Sequence, residues 1–196
     1  MPIRIGVAVF DQVEELDFVG PWEVLRTWQL FWPDDGAEVF TVAQRLGTIT
    51  CAKGMRMEPD TTWADAGPLD VLVLPGGQGT RPQIGDEMVR SWLTGLAGTG
   101  TLMTSVCTGS LLFADAGLLD GRPATTHWAS LEHLAKLGTD IKVRPDDRFV
   151  DSGDVITASG VSAGIDMALH LVVRLAGSER AREVRRYIQY DPEPPV

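Results

Sequence analysis

The feature that most constrains the fold of this chain is a series of short apolar runs separated by helical segments. The runs are rich in Val, Ile and Leu, which is typical of strands buried on both faces of a sheet. They lie at residues 3–10, 37–43, 69–74 and 101–106. Helical patterns start at Asp17 and recur at residues 86–96, 111–116, 129–137, 161–175 and 178–187. Because strands alternate with helices, the sequence predicts an α/β sandwich with a mostly parallel central sheet, formed by a single domain over residues 1–196.

Shorter segments complete the predicted topology. Residues 48–57 have the mixed polar, glycine-containing pattern of a hairpin or an edge pair of strands. A short strand is predicted to end at His127, and three more are predicted at residues 141–144, 148–150 and 155–158. The proline-rich tail at residues 190–195 cannot adopt regular structure.

Composition excludes several classes of partner. The net charge of −10 argues against a nucleic acid, because phosphate binding needs a basic surface. No apolar run approaches the roughly 20 residues that a membrane span requires. The chain starts with a strand pattern where a signal peptide would stand, and Cys51 and Cys107 allow at most one disulfide. We therefore expect a cytoplasmic protein without a membrane or nucleic-acid partner.

The strand at residues 101–106 stops at Cys107, and small residues lead directly into a helix. A strand that enters a helix through one tight turn forms a nucleophile elbow, which raises one side chain above the carboxyl edge of the sheet. Gly109 allows the turn to pack closely, and the positive end of the helix favours a thiolate. The alternative is a small, inert core cysteine, since free cysteines are usually buried. From this stretch alone, both interpretations stay open.

Three further stretches place polar groups near the same edge. Asp17 follows the first strand and is a candidate acid, although a plain helix cap is the alternative. The turn containing Gly76 and Gly77 follows the strand at residues 69–74, and its backbone N–H groups can stabilise a developing negative charge. Its alternative is an ordinary turn between a strand and a loop. His127 ends a short strand and overhangs the edge, or it is a structural histidine. No His, Cys and carboxylate cluster has metal-ligand spacing, so no metal is predicted.

Five stretches in order resemble the ThiJ/PfpI superfamily over essentially the whole chain. They are the motifs Leu-Asp-Phe-Val-Gly-Pro-Trp-Glu-Val at residues 16–24, Pro-Gly-Gly at 75–77, Ser-Val-Cys-Thr-Gly-Ser at 105–110, Gly-Arg-Pro-Ala-Thr-Thr-His-Trp at 121–128 and Tyr-Asp-Pro-Glu-Pro-Pro at 190–195. The resemblance implies a flavodoxin-like sandwich, a homodimer with active sites near the subunit interface, and no cofactor or metal. The aromatic-rich segment 28–32 suits an interface or a pocket wall.

Within the superfamily the motifs look most like those of the isonitrile hydratases, which add water to R–N≡C and give an N-substituted formamide. The resemblance makes Cys107 the nucleophile, Asp17 its acidic partner and Thr108 the neighbouring hydroxyl group. Gly76 and Gly77 match the turn that supplies backbone donors. We expect Cys107 to form a thioimidate while Asp17 delivers a proton, with the two titrations coupled and one proton shared. Thr108 is expected to bond the carboxylate or the attacking water.

Other branches of the superfamily fit less well. Peptidases carry a His directly after the nucleophile, where this chain has Thr108, and glyoxalase-like and chaperone-like members carry a Glu where it has Asp17. The regulators add a DNA-binding domain, for which no room is expected before Val196. Three alternatives to hydration remain: redox or stress sensing by an oxidisable Cys107, a glyoxalase-like activity, and a ligand-binding module with an inert cysteine.

Overall fold

The computed structural model describes residues 2–192. The strands are β1 (Ile3–Ala8), β2 (Ala37–Ala43), β3 (Ile49–Thr50), β4 (Arg56–Met57), β5 (Thr61–Thr62), β6 (Val71–Leu74), β7 (Leu102–Val106), β8 (Pro123–Ala124), β9 (Lys142–Val143), β10 (Phe149–Asp151) and β11 (Val155–Ala158). The α-helices are α1 (Glu15–Phe31), α2 (Glu87–Gly98), α3 (Gly109–Asp115), α4 (Leu131–Leu137), α5 (Ala163–Ala176) and α6 (Ser178–Tyr187). Short 3₁₀ turns lie at Pro33–Asp35, Gln78–Gln83 and Trp128–Ser130.

The central sheet has the strand order β10-β11-β7-β6-β1-β2-β5. Its pairs are parallel except for β10, which pairs antiparallel with β11. The predicted mostly parallel sheet is confirmed. The predicted hairpin at residues 48–57 is present as the antiparallel pair β3–β4, outside the central sheet.

Successive residues of the central strands serve two separate cores, because side chains alternate between the faces of a strand. Val71 and Val73 of β6 pack in the core that α1, α5 and α6 cover. Leu72 and Leu74 pack in the core that α2, α3 and α4 cover. Since all four residues are buried, β6 needs an apolar side chain at every position.

The topology brings several turns to one edge. Strands β6 and β1 are adjacent in the sheet. After β1 the chain continues to β2 on one side of this pair, and after β6 it continues to β7 on the other side. A crevice forms where the strand order reverses in this way, at the carboxyl ends of the strands. The segments that follow β1, β6, β7 and β11 all start at this edge, and they contain Asp17, Gly76, Cys107 and Val161 respectively.

Some predicted boundaries were wrong. The strand expected to end at His127 ends at Ala124, because the next N–H, that of Thr125, donates to the Thr157 Oγ1 (2.9 Å) and leaves the β8–β9 ladder. The helix expected from Val161 starts at Ala163. Residues 190–192 are irregular, as predicted, and residues 193–195 of the tail motif lie outside the described residues. None of the helices in residues 2–192 combines the length and the apolar character that a membrane span requires.

Candidate active site

Cys107 lies in a strained turn between β7 and α3. Its φ is +56°, in the left-handed region that costs a residue with a side chain on the order of 1 kcal/mol. Gly109 permits the close approach that this turn needs, because a Cβ there would lie 2.2 Å from the carbonyl oxygen of Leu74. The strand–turn–helix pattern in the sequence therefore places Cys107 at the carboxyl edge of the sheet.

Hydrogen bonds on both sides hold the Cys107 backbone in this conformation. Its N–H donates to the carbonyl oxygens of Ala158 (3.1 Å) and Ser159 (2.9 Å) at the end of β11. Its carbonyl oxygen accepts from the hydroxyl groups of Thr126 (2.8 Å) and Ser110 (3.0 Å). Strain persists where its surroundings over-determine it, and such positions cluster at functional sites.

Asp17 lies in the first turn of α1 and is completely buried. The N-cap residue is Glu14, so the interpretation of Asp17 as a helix cap is wrong. The Asp17 Oδ2 accepts a hydrogen bond from the N–H of Gly76 (3.0 Å). The Oδ1 is buried without a hydrogen bond of ordinary geometry in the described part of the chain. The carboxyl group instead interacts with the Cys107 thiol and the Val161 N–H, both of which lower its pKa.

Burial dominates the titration of both groups. It raises the pKa of Asp17 from 3.8 to about 6, although the N–H of Gly76, the Cys107 thiol and the N–H of Val161 act in the opposite direction. Burial also raises the pKa of Cys107, and the negative charge of Asp17 adds to the rise, to about 12. The N–H groups of Thr108 and Val161 lower the pKa of Cys107 by less.

The helix N-terminus was expected to favour a thiolate, but the pKa of Cys107 is shifted in the opposite direction. Helix α3 is short, and desolvation together with the Asp17 charge outweighs its dipole. Both pKa values are raised and the two groups interact, so near neutral pH the pair titrates together and shares one proton.

The Gly76–Gly77 turn holds the two side chains that flank the thiol. The Gly76 N–H is bound to Asp17, and the Gly77 N–H donates to the Thr108 Oγ1 (3.0 Å). The donors that we expected to face a developing negative charge are thus already occupied. Thr108 is bonded to Gly77 and not to the Asp17 carboxylate, and its predicted bond to the attacking water stays a prediction. A Cβ on Gly76 would lie 2.5 Å from the Thr108 N and 3.0 Å from the Asp17 Oδ2, so glycine is needed for their approach.

A cavity of about 140 Å³ opens above the thiol. Of the predicted site residues, it brings together Cys107, Thr108, Gly77 and His127. Asp17 does not line this cavity and is completely buried. The remaining walls are formed by Glu14, Gln78, Arg81 and Val161.

His127 is in the cavity wall, but not at the end of a strand. It caps the 3₁₀ turn at Trp128–Ser130, where its Nδ1 accepts from the N–H of Ala129 (3.2 Å). Because Nδ1 is an acceptor, a neutral His127 ring carries its proton on Nε2 and has one donor left.

Sequence reasoning missed Val161 and Arg81. Val161 has φ +50°, which is rare for a β-branched residue, and its N–H acts on both Asp17 and Cys107. The strand-to-helix turn after β11 was the signal available in the sequence, because it has the same topology as the Cys107 turn. Arg81 donates to the carbonyl oxygen of Gly77 (2.7 Å) and to the Thr108 Oγ1 (3.2 Å), and no local pattern indicates this.

The aromatic segment 28–32 does not line the cavity. Trp28 is fully buried in the core and donates to the Asp35 Oδ2 (2.7 Å), so the prediction of an interface or pocket wall is wrong for this residue. Phe31 is half exposed and packs against Tyr187 of α6, with ring centroids 4.1 Å apart.

Within residues 2–192, no group of three or more His, Cys, Asp and Glu side chains could hold a metal ion.

Comparison with known proteins gives a consistent result over the whole chain. The profile of the DJ-1/PfpI family matches residues 3–174. An isonitrile hydratase from Pseudomonas putida is 40% identical over 195 residues, which are 100% of this chain and 82% of that enzyme. The HTH-type transcriptional regulator GbdR from Pseudomonas aeruginosa is 30% identical over 193 residues, 97% of this chain, but the chain spans only 51% of the regulator.

The structural comparison agrees with the sequence comparison. The crystal structure of a ThiJ/PfpI family protein from Pseudomonas syringae has a TM-score of 0.89 and 31% sequence identity, and the match covers 100% of this chain and 78% of that one. The flavodoxin-like sandwich that the sequence motifs implied is thereby confirmed.

Proposed function

The chain belongs to the DJ-1/PfpI family, and on that premise we propose that it is an isonitrile hydratase, which adds water to R–N≡C to give R–NH–CHO without a metal or cofactor. The observation that carries the proposal is the 40% identity to the Pseudomonas putida isonitrile hydratase over the whole chain. The buried Asp17–Cys107 pair supports it, because hydration of an isonitrile carbon needs a nucleophile and a proton donor at the same atom.

The first step forms a covalent thioimidate. The Asp17 carboxylate accepts the Cys107 proton while the sulfur attacks the isonitrile carbon. Asp17 then returns this proton to the same carbon, which gives R–N=CH–S–Cys107. Because Asp17 does not line the cavity, bonding to the sulfur is what brings the carbon within its reach. A carboxyl pKa of about 6 suits both directions of this transfer near neutral pH.

The second step consumes water and regenerates the thiol. Water adds to the thioimidate carbon, with Asp17 as the base, and gives R–NH–CH(OH)–S–Cys107. Collapse of this intermediate forms the formamide carbonyl and breaks the C–S bond, and the sulfur leaves with a proton as the resting thiol. The atoms balance as one isonitrile plus one water for each formamide.

The remaining site residues have supporting roles in this scheme. Gly76 and Gly77 fix Asp17 and Thr108 through the hydrogen bonds described above. The His127 Nε2–H has no partner among residues 2–192, and we assign it to binding the substrate nitrogen or the attacking water. Thr108 also lines the cavity, and we propose that it bonds the attacking water by exchanging its present hydrogen bond to the Gly77 carbonyl oxygen.

The test is formamide production from an alkyl and an aryl isonitrile. Cys107→Ala should lose nearly all turnover, and Asp17→Asn should lose about 10²–10⁴-fold, the usual contribution of positioned acid–base catalysis. Cys51→Ala and Glu23→Gln are the matched controls, a second buried cysteine and another α1 carboxylate, and neither lines the cavity. Near-normal turnover by Cys107→Ala would rule out the covalent route.

We also propose that the protein acts in the cytoplasm as a homodimer and does not bind nucleic acid. Its two cysteines are both free thiols, which supports a reducing compartment. The charge of −10 disfavours phosphate binding.

Exposed apolar side chains of Leu30, Phe31 and Tyr187 lie near the contact of α1 with α6 and support a subunit contact there. A single domain over residues 1–196 likewise remains our proposal.

A further inference from the structure

A second cavity adjoins the one above the thiol. It has a volume of about 330 Å³, and it shares His127 and Val161 with the smaller cavity as walls. Its other walls include Trp128, Pro145, Arg148 and Gly160. Nothing in the proposed chemistry uses this space, since Cys107, Asp17 and Thr108 do not line it.

The small cavity cannot hold a whole substrate with a ring substituent. Its volume of about 140 Å³ is slightly below the roughly 150 Å³ of a cavity that accepts one benzene molecule. The isonitrile carbon, its nitrogen and one water already occupy part of that space. Because R–N≡C is linear, the substituent must leave the cavity along the C–N axis, and the adjoining 330 Å³ is in the usual size range of ligand pockets.

The walls of the second cavity favour an aromatic group. Trp128 is 77% exposed, although tryptophan is usually among the more buried residues. Its ring lies beside that of His127, with centroids 5.4 Å apart and an interplanar angle of 35°. The His127 ring is seated directly on Gly160, where a Cβ would lie 2.4 Å from its Cδ2. The two rings thus present an aromatic surface beside the cavity.

The charges favour a neutral substituent. Arg148 is the cation of the second cavity, and its Nε donates to the Asp166 Oδ2 (2.8 Å), which neutralises it. Two acidic residues, Asp146 and Asp147, directly precede Arg148 in the chain. An anionic group would therefore gain little here.

We propose that this second cavity is the substituent subsite of the enzyme and takes a neutral aromatic ring stacked on Trp128. The inference rests on the proposed function and names its substrate class, an aryl isonitrile. Trp128 is a specificity-determining residue with no part in the reaction at the carbon.

Steady-state kinetics with phenyl isonitrile and methyl isonitrile test the proposal. In Trp128→Ala, KM for phenyl isonitrile should rise about five- to tenfold with kcat almost unchanged, because stacking is lost in the bound and transition states alike. The kinetic constants for methyl isonitrile should stay as in the wild type. Trp128→Phe should restore most of the phenyl preference. Leu46→Ala removes another exposed apolar side chain outside both cavities. It should leave KM and kcat unchanged for both substrates.

The outcomes separate this inference from the proposed function. Turnover of both isonitriles with an unchanged preference in Trp128→Ala would overturn the subsite alone. An equal loss for both substrates, or a changed mass of Trp128→Ala in sedimentation, would do the same, since Trp128 would then act on the fold or on assembly. If the wild-type protein hydrates neither isonitrile, the proposed function fails, and the subsite fails with it.

Discussion

At the scale of single residues, the central feature is a carboxyl group and a thiol buried together with one proton. Burial makes each charged form costly, and ionised Asp17 makes a Cys107 thiolate costlier still. In the proposed reaction the sulfur becomes the nucleophile as the shared proton passes to the Asp17 carboxylate. This arrangement protects Cys107 from reactions that need a standing thiolate.

Asp17→Asn should stabilise the fold while it removes activity. The folded-state pKa of Asp17 is raised from 3.8 to about 6, so wild-type stability falls as pH rises between these values and stays reduced above them. At pH 7 the variant avoids this cost, which is on the order of 2–3 kcal/mol. Urea unfolding at pH 7 should show the gain. At about pH 2.5 the gain should almost vanish, since Asp17 is then protonated in both states. A variant less stable than wild type at pH 7 would contradict this account of Asp17.

Asp17→Asn should also make Cys107 more reactive toward iodoacetamide. Removing the Asp17 charge takes away one cause of the raised thiol pKa, so the thiolate fraction at pH 8 should increase and alkylation should accelerate several-fold. Peptide mass spectrometry separates Cys107 from Cys51, whose pKa is raised by burial and by Glu15 and Asp11. The rate at Cys51 should therefore not change.

Peroxide treatment followed by the same peptide mass spectrometry tests the redox-sensing alternative. Selective oxidation by peroxide needs a thiolate. Wild-type Cys107 should therefore oxidise no faster than Cys51 at neutral pH. Rapid, selective oxidation of Cys107 in the wild type, without isonitrile turnover, would favour a sensor instead.

At the scale of elements, two turns at the carboxyl edge of the sheet fit into each other. The Cys107 turn is pinned to the end of β11, and the Gly76–Gly77 turn after β6 reaches both Asp17 and Thr108. The close approach of these backbones sets the distance between acid and nucleophile. Substitutions at the glycines should therefore act on geometry without removing any reactive group.

Gly76→Ala should lower turnover by about 10²-fold or more, since small misplacements of reacting groups cost rates of this size. Its Cβ would lie 2.5 Å from the Thr108 backbone N, so the turn must move and carry Asp17 with it. Gly95→Ala in α2 is the matched control, because a Cβ there meets nothing within 4 Å. That control should keep full activity and gain about 0.5–1 kcal/mol in helix stability. Turnover that is equal in the two variants would contradict the positioning role of Gly76.

At the scale of the whole molecule, the Asp35 carboxylate links α6 to α1 in addition to their apolar packing. The Asp35 Oδ2 accepts from the Trp28 Nε1 (2.7 Å) and from the Arg180 Nε (2.5 Å), which lies on α6. Arg180 lowers the pKa of Asp35, and its guanidinium also stacks over the Trp32 ring at 4.9 Å. This contact closes one face of the sandwich, with α1, α5 and α6 packed side by side.

Asp35→Ala should destabilise the protein by about 1–3 kcal/mol, because it leaves the Trp28 donor without a partner. Thermal unfolding at pH 7 measures the loss. Since the pKa of Asp35 is lowered in the folded protein, its contribution is present at neutral pH and is lost as pH falls through the acid range. The wild-type and variant melting temperatures should therefore converge toward pH 3. The matched control is Asp34→Ala, the neighbouring acid, whose side chain makes none of these contacts.

The sequence by itself determined the layered α/β fold and the position of Cys107, because both follow from local patterns. Continuous apolar runs such as residues 71–74 demand burial on both faces, and a strand that meets Gly109 two residues after Cys107 must turn there. The helices predicted to start at Ala129 and Val161 start at Leu131 and Ala163, because tight turns precede both helices.

Only the tertiary structure decided the chemistry of the site. A pKa depends on burial and on charges that are distant in the chain, so the meeting of Asp17 with Cys107 raises the pKa of both groups, against the direction expected for Cys107 from the helix N-terminus. The N–H of Val161, the guanidinium of Arg81 and the occupied donors of Gly76 and Gly77 likewise depend on how separate turns pack. Local periodicity specifies which segments are buried. The electrostatic interaction of a buried pair arises only when the folded sheet places the segments that follow separate strands at the same edge.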